Sequence, residues 1–285
     1  MSFAISIAVL VGAYCLCGFS ARWLFDRLGL ISVAHAAVAG TGAYTYGLLA
    51  GEHSGWLSLS AACLGGLVAG LLITLLSESV IGDDFALASF GFQIVWLSLI
   101  RNSESFTRGA LGISGLHSIE VPAVLAVPLA HLLIIALVSL IFVWTCRWIS
   151  RSPFIVAASI VRRSQELAIT IGLSSRSLRI QIGALYGLAL GAVGAILASF
   201  LSFVGPDQFT ADTSVIVLAV SFMALPNERF VSALRGSAIV IAIPQMLRLV
   251  GFSTARAGFA QLFLGGLVVM CSPVLSYKRL FTKRA

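Results

Sequence analysis

The chain has 285 residues, of which 59% are hydrophobic and only 10% are charged, whereas soluble domains carry about 25% charged residues. With a mean hydropathy of +1.03 it is not a soluble globule, and 1–285 reads as a single transmembrane domain with no room for a separate soluble one. The net charge of +7 follows arginines and lysines placed between apolar runs, the pattern of cytoplasmic loops and not of a nucleic-acid surface.

The predicted fold is all-α and polytopic. Apolar spans are expected near 3–20, 33–50, 56–76, 85–101, 122–146, 181–204, 213–225, 236–250 and 257–276, most of them long enough to cross a hydrocarbon core of about 30 Å. The seventh is short, so the count is eight or nine. The first run, "MSFAISIAVLVGAYCLCGFS", lacks the basic residue that precedes the apolar core of a signal peptide and reads as a membrane span. The second is rich in Gly and Ala, a composition for a broken or closely packed helix in which Gly40, Gly42 and Tyr44 serve packing.

The fourth span carries Gln93, whose amide needs a partner on a neighbouring helix or on a passing solute. The polar stretch "RNSESFTRGALGISG" (101–115) follows. Gly109, Gly112 and Gly115 recur every third residue there, and Thr107 and Ser114 supply hydroxyls. Two readings stand: a gate on the solute pathway that meets a delivery protein, or an ordinary exposed hairpin. On the first, a bulky residue at Gly112 impairs uptake and leaves assembly intact. The fifth span carries His131, the best intramembrane titrating group, read as packed and hydrogen-bonded.

Fourteen of the 18 basic residues fall on one side of this topology. That side is expected to be cytoplasmic, with the N-terminus outside and a basic tail, 277–285, inside. The long interruption "RSPFIVAASIVRRSQELAITIGLSSRSLRI" (151–180) then lies in the cytoplasm within a polar segment, 147–180. Ser152-Pro153 is a helix start, Arg162 and Glu166 are spaced to pair, and Gly172 suits a helix end. The segment is either a solvated loop that fixes topology or a docking element for a partner.

Two lysines, Lys278 and Lys283, stand outside any G-x-x-x-x-G-K-[ST] phosphate loop, and H-E-x-x-H and G-x-S-x-G are missing too. No enzyme activity, cofactor or metal is expected. The five cysteines, Cys15, Cys17, Cys63, Cys146 and Cys271, have no zinc spacing and read as inert buried thiols. Acidic residues fall at span ends or in loops, which argues against proton coupling.

Four stretches in order carry a resemblance: "GLISVAHAAVAGTGAYTYGLLA" (29–50), "FALASFGFQIVWLSLIRNSESFTRGALGISGL" (85–116), the Arg-Ser-Pro-Phe … Arg-Arg-Ser-Gln-Glu-Leu-Ala … Ile-Gly-Leu series within 151–180, and "GALYGLALGAVGAILASFLSFVGPDQFT" (183–210). Together they resemble bacterial branched-chain amino acid ABC transporter permeases, in particular the M-type of two paralogous subunits. The resemblance implies a permease of the inner membrane paired with an H-type paralogue. Two ABC ATPase subunits and a periplasmic solute-binding protein would complete the importer. It assigns ATPase coupling to Arg162, Arg163, Ser164, Gln165, Glu166, Leu167, Ala168, Gly172 and Leu173. The pathway or gate residues are then Gln93, Thr107, Gly109, Gly112, Ser114 and Gly115. The implied cargo is a branched-chain or related neutral amino acid. Urea or a short amide is the alternative cargo, and a stand-alone channel or secondary transporter the alternative class. The family's glycine-rich turn after the seventh span is missing: 223–244 holds Gly236 alone.

Overall fold

A computed structural model of the chain describes residues 2–80, 83–120, 126–152, 154–163, 168, 170, 172, 174–223, 230–242 and 244–245. The expected ninth span, the tail 277–285, Cys271, and the coupling candidates Ser164, Gln165, Glu166, Leu167 and Leu173 lie outside the described residues, as does the side chain of Arg163. Helix α1 (Ser2–Leu28), α2 (His35–Leu49), α3 (Gly55–Leu76) and α4 (Asp83–Asn102) come first. A short α5 (Glu104–Thr107) follows, then α6 (Val127–Ser150), α7 (Phe154–Arg163), α8 (Ser175–Leu201), α9 (Ala211–Met223) and α10 (Phe230–Ser237). A π-helical turn, Ala238–Ala242, continues α10.

Five of these helices are long and apolar enough to span a membrane, and α9 and α10 with its π turn are shorter apolar helices. Helix α1 runs about two turns past its expected end. Arg22 and Asp26, four residues apart, pair at 3.0 Å on its surface and so do not interrupt it. Gly29, at φ 72°, supplies the left-handed residue that stops it, its N–H bonding the Phe25 carbonyl at 2.8 Å. Helix α8 likewise starts six residues early, taking Arg176 and Arg179 into its first turns.

The core is a three-helix packing of α2, α3 and α8. Gly183, Gly187 and Gly191 on α8 lie four residues apart, opposite Ala62, Gly66 and Gly70 on α3. A Cβ built on Gly191 comes 2.6 Å from the Ala62 carbonyl oxygen, and one on Gly70 comes 2.6 Å from Gly187 Cα. The backbones touch, so dispersion between main chains and small residues replaces the hydrophobic drive that is weak in lipid. Arg179 fastens the end of this packing. Buried at 6% exposure, it donates to the Ser77 carbonyl and, at 2.7 Å, to Ser77 Oγ, which places a cation on the negative end of α3.

The second crossing is discontinuous. Fifteen helical residues in α2 rise only about 22 Å, short of a full crossing, and 29–34 reach the helix as irregular chain. Buried side chains satisfy the backbone there, as bilayer depth demands. Val33 N–H donates to Ser89 Oγ at 2.9 Å, Ala36 N–H to Ser214 Oγ at 2.9 Å, and Ala37 N–H to Gln93 Oε1 at 2.8 Å.

Candidate functional site

At one end of the bundle the basic residues gather. Arg27 Nη2 donates to Ser150 Oγ at 3.1 Å, bringing the ends of α1 and α6 together, and its guanidinium lies 4.3 Å from the Trp23 ring centre. Helix α7 lies against this end. Its Ala158 and Val161 are buried while Val156 is 62% exposed, and Val161 packs with Ala168 and with Leu178 of α8. Arg162 reaches α1: Nη1 donates to the Asp26 carbonyl at 2.8 Å, and the guanidinium sits 5.2 Å from the Phe25 ring centre. Its expected partner Glu166 lies outside the described residues. Ser152 donates its hydroxyl to the Ile149 carbonyl at 2.7 Å, beside the end of α6, and Pro153, the expected first residue of the next helix, lies outside the described residues. Gly172 has φ 78°, the left-handed conformation its place at a helix end calls for.

At the opposite end the stretch 101–115 folds back on the chain. A two-residue ribbon pairs β1 (Ile113–Ser114) with β2 (Phe203–Val204), antiparallel, Ser114 facing Phe203. Arg101 bonds Asp207 at 2.9 Å on the surface. Thr107 is buried and donates to the Ile100 and Ser103 carbonyls at 2.6 and 2.7 Å. Gly109 and Gly115 have positive φ. Gly112, at φ 69°, has Gly205 Cα 2.9 Å from where a Cβ would stand, and the Val204 carbonyl nearer still. A bulky residue at Gly112 therefore crowds the ribbon itself.

His131 is fully buried at this end. Nδ1 lies 2.8 Å from the Val127 carbonyl, so that nitrogen carries the proton, and Nε2 accepts from Ser199 Oγ at 2.9 Å. Ser199 Oγ in turn accepts the Ile119 N–H at 2.9 Å. Every polar atom of this histidine is used inside the chain.

Between the ends, Gln93 is the hub. At 0% exposure, it accepts from Ala37 N–H and, at 3.3 Å, from Ser214 Oγ, and its Nε2 donates to the Phe209 carbonyl at 2.8 Å. These bonds make it a brace among α2, α4 and α9. Gln93 lies at the centre, and Thr107, Gly109, Gly112, Ser114 and Gly115 lie at one end. A cavity of about 450 Å³ lies among α1, α2, α8 and α9 and includes none of these residues. It includes His35, a second buried histidine besides His131. Its signal in the sequence is a histidine at the start of a small-residue span with no acidic residue nearby. Among the described residues no group of His, Cys, Asp or Glu is placed to hold a metal.

Membrane-length apolar helices, a half-helical crossing and backbone polar groups sealed by buried side chains define a multi-pass helical membrane protein. The particular kind follows from comparison. Residues 3–272 match the family described as "Branched-chain amino acid transport system / permease component", and the chain belongs to that family, which is one of transport subunits and not of enzymes. It is 25% identical over 297 residues to the high-affinity branched-chain amino acid transport system permease protein LivM of Escherichia coli K12, covering 93% of this chain and 67% of LivM. The LivM of Salmonella typhimurium LT2 is 24% identical, with 94% and 67% covered. The solved structure titled "PsaBC from Streptococcus pneumoniae in complex with Fab" is similar at 16% identity and a TM-score of 0.47, over 95% of this chain and 91% of that one.

Proposed function

We propose that this chain is the membrane-spanning permease subunit of an ATP-driven importer for branched-chain or related neutral amino acids. It acts in the bacterial inner membrane beside an H-type paralogue, two ABC ATPase subunits and a periplasmic binding protein. Family membership over residues 3–272 carries the transport reading. The tether from Arg162 to the end of α1 supports the coupling reading. On that reading the ATPase engages the outer face of 151–180, and a shift of α7 pulls α1 through Arg162. Because α1 touches α6, α7, α8, α9 and α10, a displacement at its end reaches most of the bundle. The chain needs two packings of similar energy for its partners to select between.

The test is co-purification of the tagged chain from native membranes, followed by uptake in proteoliposomes. An ATPase and a second permease should co-elute, and leucine should compete for uptake where urea does not. Arg162→Ala should keep both partners and lower uptake on the order of tenfold, the size of a typical coupling energy. A chain that elutes with no nucleotide-binding partner overturns the importer reading in favour of a channel or carrier. Competition by urea alone moves the cargo to small amides.

A further inference from the structure

The cavity among α1, α2, α8 and α9 measures about 450 Å³, within the range of small-molecule sites, about 300–1,000 Å³. Its walls are apolar through Leu190, Val193, Leu197 and Ile216, and Asp207 and Thr213 stand at the end where α8 finishes. His35, the first residue of α2, lines it too. His35 is 1% exposed; Nδ1 lies 2.6 Å from the Tyr186 hydroxyl, and Nε2 has no hydrogen-bond partner. A buried polar atom left unpaired is costly and calls for an explanation. The other buried histidine, His131, has both ring nitrogens bonded. A second, far smaller void, lined by Arg22, Phe25, Ser32 and Ser221, lies toward the basic end, and His35 is the residue the two voids share.

We infer that this cavity is a solute site inside the subunit. It takes a small aliphatic amino acid whose carboxylate pairs with His35 Nε2 and whose side chain lies along Leu190, Val193 and Leu197. In the tautomer this site requires, the Tyr186 hydroxyl donates to Nδ1 and the ring proton sits on Nε2, available to an acceptor group. The start of α2 lies level with Gln93, the eleventh residue of the 20 in α4. The positive end of the α2 dipole is therefore held at membrane depth beside His35 and favours an anionic group there. An acyl chain would fill the apolar walls but leave Nε2 unpaired, which favours the solute. The inference deepens the cargo reading above and rests on it.

The experiment uses the purified complex of permease and ATPase subunits without the binding protein, probed with radiolabelled L-leucine, alongside leucine uptake by the full system. One leucine should bind per copy of this chain. 4-Methylpentanoate, which keeps the carboxylate, should compete, and 3-methylbutylamine, which lacks it, should not. His35→Phe should weaken binding at least about tenfold, the loss expected of one charge-assisted hydrogen bond. Ala13→Leu, which fills the cavity from α1 and leaves His35 in place, should abolish binding in a complex that still elutes as one peak. Leucine uptake by a complex that binds no leucine, or equal binding by the parent and both variants, overturns the site and leaves the importer standing. An acyl chain found in the cavity of a structure determined with leucine also overturns it. Failure of the parent system to import leucine overturns the cargo reading, and this inference with it.

Discussion

Helix α8 turns two neighbouring faces to the rest of the molecule, and they follow different rules. One face, Gly183, Gly187 and Gly191, has no side chains at all and brings the backbone against α3. The other, Leu190, Val193, Leu197 and Leu201, carries full aliphatic side chains and still leaves a cavity of about 450 Å³ beside α1 and α9. Larger residues do not by themselves make a tighter fit. Tightness in a bilayer comes from helices approaching until their backbones meet, and side chains on the far side then hold other helices away. The rigid face fixes α2, α3 and α8 as one body, while the open face gives α1 and α9 space beside them. The Arg162 tether joins α7 to α1, on the open side of the molecule.

The largest expected effect breaks the closed face. Gly187→Leu places a side chain where a Cβ alone would lie 2.9 Å from Leu67 Cα and closer to the Gly66 carbonyl. Backbone cannot move aside as a side chain can. The cost is about 3 kcal/mol or more, and size-exclusion chromatography in detergent should show loss of the monodisperse peak. Next comes the brace between the two regions. Gln93→Leu strips partners from Ala37 N–H, the Phe209 carbonyl and Ser214, at about 2–4 kcal/mol. Thermal unfolding of the purified complex should fall by several degrees. A variant with unchanged melting would mean that water or another group replaces the amide. The smallest effect sharpens the contrast: Val193→Leu, on the open face of α8, adds one methylene toward empty space and should change stability by less than about 1 kcal/mol. If it destabilises as much as Gly187→Leu, the cavity is filled in the folded protein and the two faces are alike.

Much of the membrane part was legible in the sequence, because long apolar runs have few alternatives in water or lipid. The spans near 56–76 and 85–101 agree with α3 and α4 within a residue or two. The ends of α1 and α8 were misjudged because Arg22, Asp26, Arg176 and Arg179 look like loop residues. In the fold they pair with each other or with Ser77 and Glu78, and a paired charge does not end a helix. The small-xxx-small spacings of Gly183, Gly187 and Gly191 and of Ala62, Gly66 and Gly70 are visible in the sequence. Which glycine stripe meets which was not present there.

Sequence by itself determined that this chain lives in a membrane, that its helices are apolar and many, that its basic residues gather between particular spans, and which family's motifs it carries. These are local properties, set by composition and spacing along the chain. Only the tertiary structure decided that Gln93 is spent on Ala37, Ser214 and Phe209, that Arg162 holds α1, and that of two buried histidines His131 is fully bonded while His35 keeps one nitrogen unpaired beside a cavity. A polar side chain in a bilayer must find a partner, but nothing in the linear order says which of a hundred distant atoms will stand within 3 Å.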